Sequence, residues 1–180
     1  MNEELLRKGY VQVYTGNCKG KTTAALGLAF RAMGKGLKTY VGQFMKGGEY
    51  AELESAKMVS PYITIEQYGK KGFIKLTNPP PQEAVDLATE GLKKAKQAME
   101  SGQYDIIVLD EINTANYFNL IPVEAILELI EKKPDGVELV LTGGPKAHDK
   151  VIEAADLVTQ MVEVKHYYQK GVPAREGIEK

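Results

Sequence analysis

The sequence has 180 residues, 43% of them hydrophobic and 26% charged, which suits a single globular domain able to bury roughly 70% of its unfolded surface without a staple. Its net charge of −1 argues against a protein held on nucleic acid by its overall field and leaves only local basic clusters for phosphate. The single cysteine, Cys18, supplies neither an internal disulfide nor a cysteine-based zinc site. Met1-Asn2-Glu3-Glu4-Leu5-Leu6 lacks the basic-then-apolar pattern of a secretory signal. No apolar run approaches the ~18 residues of a membrane span, so a cytoplasmic chain is expected.

Tyr10-Val11-Gln12-Val13-Tyr14 has strand character and runs into a glycine-rich turn. Thr22 to Ala32, rich in Ala and Leu, predicts a helix that Gly34-Lys35-Gly36 ends. Lys38 to Phe44 reads as a second strand, Tyr50 to Met58 as a short helix after a Gly47-Gly48 break, and Ile63-Thr64-Ile65 as a third strand. Gly69 to Pro81 is irregular, and its prolines suit the first turn of a following helix. Val85, Ala88, Leu92, Ala95 and Met99 recur at helical steps and mark an amphipathic helix ending near Gly102.

Ile106-Ile107-Val108-Leu109 is continuously apolar, as in a strand covered on both faces, and it ends in Asp110-Glu111. A helix over 122–131, a buried strand over 137–141, a helix over 146–155 and a last strand over 157–164 complete the pattern. Strands alternating with helices specify an α/β fold: one P-loop NTPase-like (RecA-like) domain over 1–180, its sheet mostly parallel with helices on both faces. Ligands in such sheets sit at the carboxyl ends of the strands.

Thr15-Gly16-Asn17-Cys18-Lys19-Gly20-Lys21-Thr22-Thr23 stands at such an end. A P-loop turns successive backbone N–H groups around phosphate oxygens, adds a lysine to neutralise charge, and places a hydroxyl on Mg²⁺. Lys21 and Thr22 suit the last two roles, although Thr15 stands where the pattern has its first glycine. Asp110 is the natural partner, an acid at a buried strand end that holds Mg²⁺ opposite Thr22. Glu111 serves either as a water-orienting group or base, or as part of a structural hydrogen-bond network. ATP is the expected nucleotide.

Together with Gln43-Phe44-Met45-Lys46-Gly47, Val108 to Asn113, Leu141-Thr142-Gly143, Ala155 to Val158, Val164-Lys165-His166 and Gly177-Ile178-Glu179, this loop resembles the P-loop corrinoid adenosyltransferases. The resemblance spans most of the chain. It implies transfer of the 5′-deoxyadenosyl group of ATP to cob(I)alamin or a precursor corrinoid, with release of tripolyphosphate. It further implies Mg²⁺ on Thr22 and Asp110, catalytic roles for Lys21, Thr22, Asp110 and Glu111, and a nucleotide held by residues 15–23 with Lys165, His166 and Arg175. Phe44, Met45 and Phe73 are implied on the corrinoid side, with a homodimer and a flavin-type reductase as partners. Phe73 lies in a segment like the family's corrinoid-covering lid, but the chain lacks the tryptophan that some relatives carry there.

Other residues allow two readings. His166 and Lys165 either approach phosphate or belong to a polar loop, and Arg175 either reaches the nucleotide or pairs with a nearby carboxylate. A zinc-bearing nucleoside kinase needs more cysteines, and a nucleic-acid motor needs more length and a basic surface. A nucleotide- or corrinoid-binding regulator would use the same residues as the transferase.

Overall fold

A computed structural model describes residues 8–71 and 77–180. Six strands, β1 (Val11–Thr15), β2 (Thr39–Phe44), β3 (Ile63–Tyr68), β4 (Ile106–Asp110), β5 (Glu138–Thr142) and β6 (Leu157–Gln160), form one sheet in the order β3-β2-β4-β5-β1-β6. Every pairing between these strands is parallel. The helices are α1 (Lys21–Met33), α2 (Ala51–Met58), α3 (Gln82–Glu100), α4 (Ile112–Tyr117), α5 (Val123–Glu131) and α6 (Asp149–Ala154), and a 3₁₀ turn spans Tyr167–Lys170.

Side-chain parity divides the core in two. Val13, Phe44, Ile107, Leu109, Leu139 and Leu141 face α3 to α6, where they meet Ala88, Ala95, Ile112, Ile126 and Val151. Val41, Val108 and Val140 face the other way, onto Ala25 and Ala32 of α1. Each wholly buried Ile or Leu contributes about 1.5–3 kcal/mol, so the four central strands are anchored from both sides. Small residues on the inner face of α1, Ala25, Ala29 and Ala32, let that helix lie close to the strand ends.

The structure departs from the sequence expectations at element ends. The third strand continues to Tyr68 rather than Ile65 because it pairs with β2 along its whole length. The last helix starts at Asp149 rather than Lys146, with the exposed His148 as its cap, its Nδ1 accepting the Lys150 N–H at 3.2 Å. The last strand stops at Gln160, four residues short of Val164, on an exposed sheet edge. Helix α4 and the 3₁₀ turn have too few residues for an apolar period to reveal them.

Candidate active site

The loop after β1 is clamped from behind by the chain that follows β6. The Met161 N–H donates to the Thr15 carbonyl at 2.8 Å, and the Cys18 N–H donates to the Met161 carbonyl at 3.2 Å. The Glu163 N–H donates to Asn17 Oδ1 at 3.0 Å. Gly16, at φ 108, passes so close to this segment that a Cβ would overlap the Met161 carbonyl. The glycine displaced by one position from the usual pattern is thus required by backbone approach as well as by φ. Thr15 was expected on the nucleotide, but its hydroxyl accepts the Ala147 N–H at 2.8 Å and is buried behind the loop.

Gly20 (φ 124) starts α1 without a side-chain cap, leaving the first amides of the helix to face the loop. The Lys21 ammonium donates to the carbonyls of Gly16 at 2.9 Å and Cys18 at 2.8 Å, which holds it across the loop. Thr22 Oγ1 donates to Asp110 Oδ1 at 2.8 Å.

The parity that puts Val41, Val108 and Val140 on the α1 face also puts Gln43, Asp110 and Thr142 there, one residue pair further along each strand. All three are wholly buried. Asp110 Oδ1 also accepts from Thr142 Oγ1 at 2.7 Å, and Oδ2 accepts from Lys46 Nζ at 2.8 Å and Gln43 Nε2 at 3.4 Å. Both carboxylate oxygens are therefore satisfied, as a buried charge requires. Burial alone would lower the Lys46 pKa, but the opposing pull of Asp110, with Glu52 and Glu111 behind it, raises it above the ordinary lysine value.

Thr22 gives its proton to Asp110, so the lone pairs of its hydroxyl remain for a cation on the loop side. Hard oxygen donors of this kind suit Mg²⁺, which keeps several waters and is completed by substrate phosphates. Among the described residues no cluster of three or more His, Cys, Asp or Glu side chains forms a separate metal cage.

A cavity of about 170 Å³ opens in front of residues 19–23. Its far walls are Glu111 and, from the C-terminal tail, Ile178 and Glu179. Glu111 sits in the left-handed region (φ 63), donates its N–H to Thr142 Oγ1 at 3.0 Å, and accepts from the Thr114 hydroxyl. Its carboxylate thus has a structural partner and a face on the cavity. The tail is held by Arg175, which forks onto Glu179 at 3.0 and 3.2 Å, and by the Tyr167 hydroxyl on the same carboxylate. Hydrogen bonds from Arg175 and then Tyr167 hold the Glu179 carboxyl well below its usual range, at about 2.

The structure does not bring every expected residue to this cavity. Arg175 reaches it only through Glu179, having taken the carboxylate-pairing alternative. Lys165 is exposed and His166 caps the 3₁₀ turn, its Nδ1 accepting the Tyr168 N–H at 3.1 Å; neither lines the cavity. Phe44 was expected on the corrinoid, but it is wholly buried, its ring 5.8 Å from that of Tyr68. Strand parity turns it into the core. Met45 is half-buried beside the same core cluster, and Phe73 lies outside the described residues. Thr142, Gln43, Lys46, Met161 and Glu179 were given no role from sequence. Strand parity signals the first two, but nothing local signals Met161.

A strand, a clamped glycine loop, a lysine and threonine opening a helix, and a buried acid on a nearby strand define the P-loop class. The fold is similar to that of a KaiC-like protein from Pyrococcus horikoshii, with a TM-score of 0.55 and 20% identity over 86% of this chain and 73% of that one. The profile of ATP:corrinoid adenosyltransferase BtuR/CobO/CobP matches residues 7–179. Corrinoid adenosyltransferases of a Sinorhizobium species and of Escherichia coli are 35% and 33% identical, each over 96% of this chain and over 80% and 86% of their own lengths. An uncharacterized protein of Nostoc is 31% identical over 98% of this chain, which spans only 49% of that longer protein. The chain belongs to the ATP:corrinoid adenosyltransferase family. Among the described residues no helix is long and apolar enough to cross a membrane.

Proposed function

We propose that this chain, as one domain over residues 1–180, transfers the 5′-deoxyadenosyl group of ATP to the Co(I) of cob(I)alamin or a precursor corrinoid and releases tripolyphosphate. The observation that carries this reading is the pairing of adjacent residues with the loop and the buried acid, Lys21 over the loop and Thr22 on Asp110, in a chain of this family. The cobalt electron pair forms the bond to C5′ while the C5′–O bond breaks, and its electrons leave on the polyphosphate. Co(I) is a strong nucleophile, so no side chain has to remove a proton. The work left to the protein is orientation and neutralisation of the leaving group.

Lys21, Lys19 and the loop N–H groups take the polyphosphate charge. Asp110 orients the Thr22 hydroxyl, and both hold Mg²⁺, whose role is to offset the charge that builds on the leaving oxygens. Glu111 holds the opening of α4 and faces the same cavity. By the family resemblance Met45 and Phe73 belong to the corrinoid side. A cytoplasmic homodimer supplied with electrons by a flavin-type reductase is the working form.

An anaerobic reaction of ATP, Mg²⁺ and chemically reduced cobalamin tests this. A light-sensitive Co–C product together with tripolyphosphate is the expected outcome. ADP or orthophosphate without a Co–C bond would instead establish a kinase or ATPase, and binding without turnover a regulator.

A further inference from the structure

Lys46 has no part in the chemistry above, yet it holds the acceptor at the centre of the site. Its Nζ is 2.8 Å from Asp110 Oδ2, and the other oxygen of that carboxylate meets Thr22. The arrangement is built into the backbone. Met45, just past β2, takes φ 59, a left-handed conformation unusual for a side chain of its size, and turns Lys46 back over the strand ends. Gln43 on one side of the turn donates to Glu52 Oε1 at 2.9 Å and Asp110 Oδ2 at 3.4 Å. Gln67 donates to Gln43 Oε1 and accepts from the Gly48 N–H on the other side, both at 3.0 Å. Of the two carboxylates within ion-pair distance of Lys46, Glu52 is the farther, at 3.8 Å.

We propose that Lys46 is a positioning residue, a tethered counter-ion that occupies the cation side of Asp110 until nucleotide arrives, so that metal and polyphosphate enter together. This rests on the reading of Thr22 and Asp110 as the Mg²⁺ site. A buried carboxylate needs a positive partner, and a covalently attached ammonium competes with a free ion at high effective concentration. An arriving polyphosphate offers the ammonium a new anionic partner and carries its own Mg²⁺, which frees Asp110. Binding of metal and of nucleotide is thereby positively coupled.

The test compares the full-length wild type with Lys46→Met and Lys46→Arg, using Mn²⁺ as a spectroscopic probe and Mg²⁺ in thermal melts, both without nucleotide. Lys46→Met should bind Mn²⁺ tighter by about tenfold or more, as expected when one charge is removed at close range. It should also gain a Mg²⁺-dependent rise in Tm, while Lys46→Arg behaves like the wild type. Equal Mn²⁺ affinity in all three proteins would overturn the proposal. Should Lys46→Met unfold, refolding by Mg²⁺ alone supports it. Rescue only by adding Asp110→Asn, with no response to Mg²⁺, overturns it. Nucleotide binding by the wild type that is indifferent to Mg²⁺ would instead remove the metal site, and the proposal with it.

Discussion

The P-loop and strand ends on one side of the cavity and the C-terminal tail on the other reach the same space by different means. Asp110, Gln43 and Thr142 are wholly buried and sit on strands anchored by core packing on both faces. Glu179 is placed by an exposed arginine and the hydroxyl of a tyrosine, four and twelve residues away in the chain. Interactions of the first kind hold a geometry to within the tolerance that phosphate chemistry needs. Those of the second kind are screened by water and contribute little to stability. One wall is therefore held by burial, and the other by exposed polar contacts alone.

Removing Asp110 attacks the buried wall most directly. Asp110→Ala leaves Lys46 without its main partner in a mostly enclosed position and should cost about 3–5 kcal/mol in urea unfolding; a change below about 1 kcal/mol would show that the network is not holding the strand ends.

Lys21→Ala leaves the core intact and removes charge neutralisation, so it should lower adenosyl transfer by about 10²–10³-fold with a nearly unchanged melting curve. Unchanged turnover in a single-turnover assay of Co–C bond formation would defeat the P-loop assignment.

Gly16→Ala tests the clamp behind the loop. Its Cβ meets the Met161 carbonyl at a φ of 108, and a loss of about 1–3 kcal/mol is expected. Restoration by a substitution at Met161 is not expected, because the obstacle is main chain.

Glu179→Gln should leave the global unfolding midpoint nearly unchanged while making the tail more open to carboxypeptidase. The pH dependence has a definite sign. The Glu179 carboxyl is held down to about 2 against an ordinary 4.5, so its pairing is fully present above pH 4.5 and is lost as pH falls toward 2. NMR titration of its side chain, with an ordinary carboxylate midpoint, would show that the tail is not held as described.

The legibility of the site followed the range of the interactions that build it. The loop Gly16 to Thr23 and the acid Asp110 stand out because their residue types recur at short spacing for a chemical reason. Thr15, at the head of that loop, and Phe44, from the Gln43 to Gly47 segment, have side chains whose placement the sequence does not reveal. One hydroxyl is taken by Ala147, 132 residues away, and strand parity turns the phenyl ring inward.

By itself the amino-acid sequence determined the alternation of strands and helices, the P-loop with its acid, and the family to which they belong. Those depend on periodicity and on residues close together along the chain. Only the tertiary structure decided the strand order, the clamp of Met161 on Gly16, the convergence of Gln43, Lys46, Asp110 and Thr142, and the arrival of Glu179 at the cavity before the P-loop. Each of these needs groups far apart in the chain to meet, and such meetings are set by packing of the whole sheet rather than by any local preference.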